Sequence, residues 1–473
     1  MIEYLRNNQQ FIVLLLLWWL AGMFGGPLVY LIVPATIFLI WRTGHYQLIF
    51  LGFLFILILS DSLQPGMGFA KTIKNLNILL IAGIFLASGN YFRPFNQLWK
   101  LYVPYFLVAI FCLMYAGPNL NTGIQKTLSY ILLFLAVPNY ISAIYKERGE
   151  AFLKDMFYFL LSIVVIGILI RFYNAEIAFS HGGRMRGIFG NPNGLGIFLI
   201  LTFLFFSVTN HLHPEMYSKN EKLFIYAILF YSVYKTGSRS ALLAIVFYLA
   251  FIRVYKVSPF LGFIAFLSSI LGYELFLQNY ATLIRALGLE TVFRLDTLEE
   301  GSGRLIAWTF AWENIQQSMF LGKGISYDEY LMRSNFDYLS KQGHEGGVHN
   351  TYLIMWLNTG LIGLLGFLRG LLLTFIRAGK NTPIAFPVMF AVMFSINFEP
   401  WLAASLNPFT ILFLSIATVL TGDAFEEQWN RVKSTSTPLS GHVENENGGE
   451  NGTSLPGLDV HGDKPGNLKD SWV

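Results

Sequence analysis

The chain has 473 residues, of which 54% are hydrophobic and 13% are charged, and its formal net charge is +4. Soluble domains carry about 25% charged residues, so this composition excludes an ordinary soluble protein. The mean hydropathy is +0.52, and the apolar residues stand in runs long enough to cross ~30 Å of hydrocarbon, which indicates an integral membrane protein.

The distribution of charge divides the chain into a basic body and an acidic tail. From Asp423 onward there are nine acidic and four basic residues, which leaves about +9 for the preceding body. A basic body suits anionic membrane lipids or an anionic substrate. The single cysteine, Cys112, excludes both a disulfide framework and a cysteine-based metal site.

Hydropathy predicts an all-α polytopic bundle of about twelve to fourteen spans, because several of the fourteen apolar segments are short. The first segment continues into further apolar sequence, so it is expected to be a retained span and not a cleaved signal peptide. In chain order the segments are 9–25, 27–42, 46–60, 76–91, 99–117, 127–146, 155–173, 191–209, 222–236, 240–255, 258–277, 349–376, 383–399 and 402–420.

Three regions follow from this division. Residues 1–150 are N-terminal spans, and residues 151–420 are a transmembrane core that includes one large loop, 278–348. Residues 421–473 are rich in Ser, Thr, Asn, Gly and Pro, and are predicted to be a disordered cytoplasmic tail because they lack apolar residues to bury.

Basic residues in short loops predict a cytoplasmic N-terminus, a cytoplasmic C-terminus and a loop 278–348 on the outer side. The predicted inner set is Arg42, Arg93, Lys100, Lys146, Arg148, Lys154, Lys219, Lys222, Arg253, Lys256, Arg377 and Lys380. The outer side nevertheless holds Arg171, Arg184, Arg186, Lys235, Arg239 and Arg304. Guanidinium groups bind phosphate oxygens, so a bound anion explains these arginines as well as snorkelling at the interface does.

The first polar cluster is Arg184-Met-Arg186-Gly-Ile-Phe-Gly-Asn191-Pro-Asn193. Proline is tolerated in the first turn of a helix, and Asn191 before it is a natural N-cap. The positive end of the helix dipole then lies beside two arginines and forms a plausible anion site. The alternative is a capped helix entry with snorkelling arginines.

Two further arginines stand at predicted helix starts on the outer side. Arg239 follows the turn Lys235-Thr-Gly-Ser238. Arg304 follows Gly-Ser-Gly and recurs with Trp308 and Trp312 at i, i+4 and i+8, so the three share one helix face. Arginine and indole rings together suit a phosphosugar, although an interfacial amphipathic helix has the same pattern.

The last cluster is His344-Glu-Gly-Gly-Val-His349-Asn350, directly before a long span. Its histidines are five residues apart and separated by two glycines, which disfavours the His-Glu-x-x-His zinc pattern. His349 is then a candidate general base, since imidazole titrates near neutrality. The sequence has neither a Gly-rich nucleotide loop nor Asp-x-Asp, so we expect no cofactor, no metal and a donor that arrives through the membrane.

These clusters together resemble the bacterial O-antigen ligase and O-antigen polymerase superfamily of membrane glycosyltransferases over roughly residues 155–420. Arg186 to Asn193 resembles the motif before a central span, and Arg239 with Leu243 resembles Arg-x3-Leu. Arg304 with Trp308 resembles the arginine of the large periplasmic loop. His349-Asn350, nine residues and Gly360 resemble the ligase motif. The acidic tail and a span count above twelve depart from the family.

The resemblance implies a metal-independent, inverting transfer on the periplasmic side of the bacterial inner membrane. Its donor would be an undecaprenyl-pyrophosphate-linked glycan, and its acceptor lipid A-core or a growing glycan. Arg239 and Arg304 would hold the pyrophosphate, and His349 would activate the acceptor hydroxyl. Substrate contacts would come from Arg184, Arg186, Asn191, Asn193, Trp308, Trp312 and Asn350. No nucleic acid is expected as a partner.

Three alternatives stay open. Ligase and polymerase share most motifs, although the His-Asn-x9-Gly spacing favours a ligase. A protein O-oligosaccharyltransferase shares the His/Arg pattern. A small-solute transporter would place ionisable groups near the bilayer midplane, which the sequence disfavours.

Overall fold

The computed structural model describes residues 2–436 apart from residue 181 and most of the segment 258–303, of which only residues 261, 262, 264, 268, 285 and 286 are described. The predicted span 258–277 and the start of the predicted loop therefore lie almost entirely outside the described residues. The described part is helical, with an isolated β-bridge between Phe179 and Met185. The predicted all-α fold class is confirmed.

The helices of the first half follow the apolar segments closely. They are α1 Ile2–Asn7, α2 Gln9–Phe24, α3 Val29–Arg42, α4 Tyr46–Asp61, α5 Gly68–Ala87, α6 Val103–Cys112, α7 Leu120–Arg148, α8 Glu150–Tyr173, α9 Ala175–Ala178, α10 Pro192–Leu212, α11 Lys219–Thr236 and α12 Arg239–Val257. Short 3-10 turns connect several of them, including Leu98–Tyr102 before α6 and Pro65–Met67 before α5.

The second half contains the loop helices and the last spans. They are α13 Arg304–Gln316, α14 Tyr327–Ser334, α15 Phe336–Lys341, α16 Thr351–Asn381, α17 Ala385–Phe398, α18 Pro408–Thr421 and α19 Glu426–Ser436. Helices α13 to α15 lie where the sequence predicts the large loop, and they pack against the first half of α16.

Six of the described helical segments are long and apolar enough to cross a membrane: Gly68–Ala87, Leu98–Tyr115, Leu120–Arg148, Glu150–Tyr173, Pro192–Leu212 and Thr351–Asn381. A seventh qualifies only when α18 and the helix after it, bent by 56°, count as one span. Helices Gln9–Phe24, Gly26–Arg42, Tyr46–Asp61 and Ala385–Phe398 are apolar but shorter. The protein is therefore a multi-pass membrane protein, and the count of twelve to fourteen spans stays a prediction.

Aromatic pairs fix how α12 lies on α17. The rings of Phe247 and Phe394 are 4.6 Å apart, those of Phe251 and Phe390 4.9 Å, and those of Tyr255 and Phe386 4.8 Å. Each step of four residues forward in α12 matches four residues backward in α17, so the helices are antiparallel. Continued for one more step, this register places Leu243 opposite Phe398, the last residue of α17, so Arg239 at the start of α12 lies at the end of the bundle where α17 ends.

Charged side chains gather at the two ends of the bundle. At one end Arg304 pairs with Glu399 and Lys126 pairs with Glu329, and we call this the site end. At the opposite end Arg148 pairs with Asp155, and Arg377 pairs with Asp423. Helices α10, α12, α16 and α18 all begin at the site end, so the positive ends of their dipoles lie there.

The predicted tail begins with ordered structure, which corrects its boundary near residue 421. Helix α19 runs to Ser436, and its Trp429 is buried, with the indole N–H donating to the Val419 carbonyl oxygen at 2.9 Å. Composition missed this helix because one large aromatic side chain is enough to anchor it. The rest of the predicted tail lies outside the described residues.

Candidate active site

A buried carboxylate joins two of the predicted catalytic residues. Nη2 of Arg304 donates to Oε1 of Glu399 at 2.9 Å, and Nδ1 of His349 lies 4.0 Å from the other carboxylate oxygen, Oε2. Glu399 is 4% exposed, whereas the Arg304 and His349 side chains are 25% and 34% exposed. The carboxylate therefore forms the floor of the site, and the arginine and the histidine face outward from it.

Glu399 is the functional residue that the sequence analysis missed. It follows α17 and is tied to α16, because the Thr351 hydroxyl donates to the Glu399 carbonyl oxygen at 2.9 Å. Burial raises the pKa of its carboxyl group, while the positive charges of Arg304 and, farther away, Arg184 act in the opposite direction. The available signal was its isolation, since Glu399 is the single acidic residue between Glu345 and Asp423.

The His349 side chain is 34% exposed, and its Nδ1 atom is buried. Its backbone has φ of +53°, an unusual value for a residue other than glycine, and the next residue, Asn350, caps α16 through the Leu353 N–H at 3.0 Å. Burial, Arg304 and His344 together lower the pKa of His349 to about 4. The imidazole is therefore neutral at pH 7 and able to accept a proton.

Asn350 supports this site from beneath. Besides capping α16, its side-chain Nδ2 donates to Oδ1 of Asn397 at 3.2 Å, which joins the start of α16 to the end of α17. Both of its polar groups are therefore engaged within the protein. The structure places Asn350 in a supporting position, and its predicted contact with substrate stays a prediction.

The two tryptophans of α13 lie on one face of the helix with Arg304, as predicted. The Trp308 indole N–H donates to the Val348 carbonyl oxygen at 2.8 Å, which fixes the residue before His349. The Trp312 ring meets the Trp356 ring edge to face at 5.3 Å. The predicted sugar stacking is untested, and these contacts show that both rings also anchor the loop to α16.

At the predicted anion site near α10, the two arginines donate mainly to backbone carbonyl oxygens. Arg184 donates to the Thr236 carbonyl oxygen and to Oδ1 of Asn193, each at 2.8 Å. Arg186 donates to the carbonyl oxygens of Ile177 and Glu176 at 3.0 and 2.9 Å. Arg184 thereby links the start of α10 to the turn before α12.

Asn191 occupies the predicted N-cap position, since its Oδ1 accepts the Gly194 N–H at 2.8 Å. Asn407, also followed by proline, caps α18 in the same way through the Thr410 N–H at 2.8 Å. Two helices with Asn-Pro starts thus meet at the site end.

Arg239 begins α12 at this same end. The turn before it contacts the Arg184 side chain, whose Nε donates to the Thr236 carbonyl oxygen at 2.8 Å. Arg184, Arg239 and Arg304 therefore belong to one cationic region of the site end, which we call the arginine side.

A cavity of about 330 Å³ opens beside His349 and Glu399. This volume falls within the range of about 300–1,000 Å³ that small-molecule sites occupy. Asn191 and Asn407 line it, together with Asp61, Lys126 and Ser326. A group bound there touches His349 directly.

The fold and the site define a class of protein: a multi-pass helical membrane protein with a histidine, a carboxylate and arginines gathered at one end of the bundle. Residues 224–368 match the family model described as O-antigen ligase, which confirms the resemblance to the O-antigen ligase and O-antigen polymerase superfamily. Arg239, Arg304, His349 and Gly360 lie inside the matched segment, and Glu399 lies outside it. No curated protein matches the chain.

Proposed function

We propose that this protein transfers an undecaprenyl-pyrophosphate-linked oligosaccharide or polysaccharide to a glycan acceptor. The acceptor is lipid A-core for a ligase, or a growing glycan for a polymerase. The observation that carries the proposal is the placement of Arg304 and His349 on one buried carboxylate, Glu399, beside a cavity. The family match supports glycosyl transfer with lipid-linked substrates in general.

The reaction follows from the charges of these groups. The acceptor hydroxyl oxygen attacks the anomeric carbon and gives its proton to His349, which the lowered pKa keeps neutral at pH 7. The bond from the anomeric carbon to the phosphate oxygen breaks, and its electron pair leaves with the pyrophosphate. Attack from the face opposite the leaving group inverts the anomeric centre.

The arginines stabilise the leaving group. One contact with Glu399 uses one of the five N–H donors of Arg304, so the others are available to phosphate oxygens. Arg239 and Arg184 add positive charge on the same side, and four helices direct their positive ends toward it. Because guanidinium groups match the charge that develops on pyrophosphate, the proposed transfer is metal-independent.

Glu399 has a positioning role in this proposal. Its carboxylate holds Arg304 and faces His349, so it keeps a base and a cation at a fixed separation. Burial lowers the pKa of His349, and the charge of Arg304 lowers it further. Burial and Arg304 thus keep the base neutral until the acceptor hydroxyl arrives.

The proposed orientation puts the site end in the periplasm and both termini in the cytoplasm. It is supported by the basic residues of the opposite end, among them Arg148, Arg377 and Lys380, which suit the cytoplasmic side. A polyprenyl donor that has crossed the inner membrane would meet the arginines at the outer leaflet.

Complementation of a deletion strain tests the proposed roles. We expect His349→Ala and Arg239→Ala to abolish transfer with expression intact, a loss of about 10²- to 10⁴-fold for the general base. Arg304→Gln and Glu399→Gln should each reduce transfer by at least about 10²-fold. His45→Ala and Arg148→Gln, both at the opposite end, are the matched controls. Full activity in His349→Ala would refute the role of that histidine.

The surface glycan of the deletion strain separates ligase from polymerase. Uncapped lipid A-core with polymer still on the lipid carrier identifies a ligase, whereas products with a single repeat identify a polymerase. Unchanged surface glycan together with reduced glycosylation of a protein acceptor would identify a protein O-oligosaccharyltransferase instead.

A further inference from the structure

The lining of the cavity includes polar groups that the proposed chemistry leaves unused. Oδ2 of Asp61 and Oγ of Ser326 are buried and have no hydrogen-bond partner in the part of the chain that the structure describes. Both residues line the same cavity as His349. Ser326 is 3% exposed and has φ of +83°, an unfavourable value for serine, so its hydroxyl is held there against backbone strain.

We propose that this cavity is the acceptor subsite, and that it binds a sugar without phosphate whose hydroxyl groups contact Asp61 and Ser326. The inference rests on the proposed glycosyl transfer, which it deepens by naming the class of the accepting sugar. Sugar hydroxyls are hydrogen-bond donors as well as acceptors, and a carboxylate oxygen without a partner is a suitable acceptor for them. His349 lines the same cavity, so a sugar bound there brings a hydroxyl group to the proposed base.

The charges around the cavity separate it from the arginine side. The lining contains four carboxyl groups, those of Asp61, Asp328, Glu329 and Glu399, and one lysine, Lys126, which already pairs with Glu329. Lys74 interacts electrostatically with Asp61 and donates to the Leu406 carbonyl oxygen at 3.0 Å. Among the described residues that line the cavity there is no arginine, so the guanidinium groups that suit pyrophosphate lie on the arginine side and an uncharged sugar suits the cavity.

The remaining lining suits the apolar faces of a sugar ring. Ile325, Val348, Trp401 and Phe409 contribute apolar surface, while Asn191 and Asn407 supply amide groups at its edge. The Gly190 N–H, just before the start of α10, donates to Asp61. An apolar cleft with a few fixed polar groups is the usual form of a specific small-ligand site.

Binding measurements on the purified full-length protein test the subsite without requiring turnover. The neutral probe is the unphosphorylated oligosaccharide released from the host's surface glycan, and the anionic probe is inorganic pyrophosphate. We expect Asp61→Asn and Ser326→Ala to weaken oligosaccharide binding at least 10-fold and to leave pyrophosphate binding unchanged. Arg304→Gln should weaken pyrophosphate binding and leave oligosaccharide binding unchanged.

Two matched variants control for general effects on folding. Ser318→Ala removes another buried hydroxyl, outside the cavity, that has no hydrogen-bond partner among the described residues, and Asp155→Asn removes a carboxylate at the opposite end. Both should bind each probe as the unmodified protein does. Equal oligosaccharide binding in the unmodified protein and Asp61→Asn, or none in either, would overturn the subsite. Probe binding as expected but unchanged glycan transfer in the deletion strain would instead overturn the proposed function.

Discussion

At the scale of single residues, the site depends on how one buried carboxylate is compensated. A buried charge is costly unless an opposite charge and hydrogen bonds compensate it, and Glu399 has Arg304 at 2.9 Å. Nδ1 of His349 lies 4.0 Å from this carboxylate, too far for a hydrogen bond, and has no hydrogen-bond partner among the described residues. The cluster thus pairs a compensated carboxylate with a base whose proton-accepting capacity is unused.

The pH dependence of transfer should report the lowered pKa of His349. The neutral imidazole is the active form, and its pKa near 4 means that protonation begins only well below the ordinary value of 6.5. Activity should therefore stay level from about pH 8 to pH 6 and fall as the pH approaches 4. Glu399, whose pKa is raised, faces the same ring, and its protonation would contribute to the fall. The measurement is the rate against pH in purified membranes.

His344→Gln tests the explanation for the lowered pKa of His349, because it predicts a shift of the pH profile in one direction. The charge of His344 lowers the pKa of His349, so its removal should shift the acidic limb of the profile to higher pH. His45→Gln, at the opposite end, should leave the limb in place. An acidic limb near pH 6.5 in the unmodified protein would contradict the assigned environment of His349.

At the scale of helices, Gly360 explains why glycine follows His349-Asn350 at a fixed distance. Within α16 its backbone has φ of +69° and ψ of −179°, which breaks the helix after Thr359. The break lets Leu361 N–H donate to the Met319 carbonyl oxygen at 2.9 Å, while Gly324 N–H donates to the Asn358 carbonyl oxygen at 2.8 Å. These two hydrogen bonds attach the loop to α16 at residues 358–361.

Gly360→Ala should prevent this docking. A Cβ atom there would lie 2.2 Å from the Phe320 carbonyl oxygen, and the backbone conformation is unfavourable for alanine. We expect a loss of about 3 kcal/mol or more in the free energy of unfolding. The measurement is thermal unfolding of the detergent-purified protein followed by size-exclusion chromatography.

Gly83→Ala is the matched control, because its Cβ would meet no atom within 4 Å and its helix is regular. It should be neutral or stabilise the protein by up to about 1 kcal/mol. Equal unfolding temperatures for the two variants would show that the break at Gly360 is not needed.

At the scale of the whole molecule, α19 closes the opposite end of the bundle. Besides Trp429, the Phe425 ring stacks on Tyr145 at 4.0 Å, and Gln428 donates to the Leu212 carbonyl oxygen at 3.0 Å. These contacts join residues 425–429 to α7 and α10, which lie far away in the sequence.

The effect of truncation should therefore depend on whether the chain is cut before or after α19. A chain that ends at Ser436 should keep expression and transfer activity. A chain that ends at Thr421 loses two large buried aromatic side chains, each worth about 3–5 kcal/mol, and should accumulate poorly. Immunoblots of membranes and surface-glycan gels measure both. Normal levels of the shorter chain would show that α19 does not stabilise the bundle.

The sequence by itself determined the fold class and most of the site. Apolar runs have few alternatives to helices in a bilayer, because each backbone polar group must be satisfied within the segment. Helix starts were equally readable, since Asn191 before proline and Asn350 before α16 cap as local chemistry predicts. Arg239, Arg304 and His349 stood out as polar residues at the edges of apolar runs.

Only the tertiary structure decided how those residues meet. Glu399 joins Arg304 and His349 from a connection 95 and 50 residues away along the chain, and helix packing alone sets such distances. Asp61 and Ser326 share a cavity for the same reason. The ordered α19 likewise depends on partners in α7 and α10, which no local pattern contains. Local periodicity specifies helices and caps, but the grouping of charges arises from long-range packing.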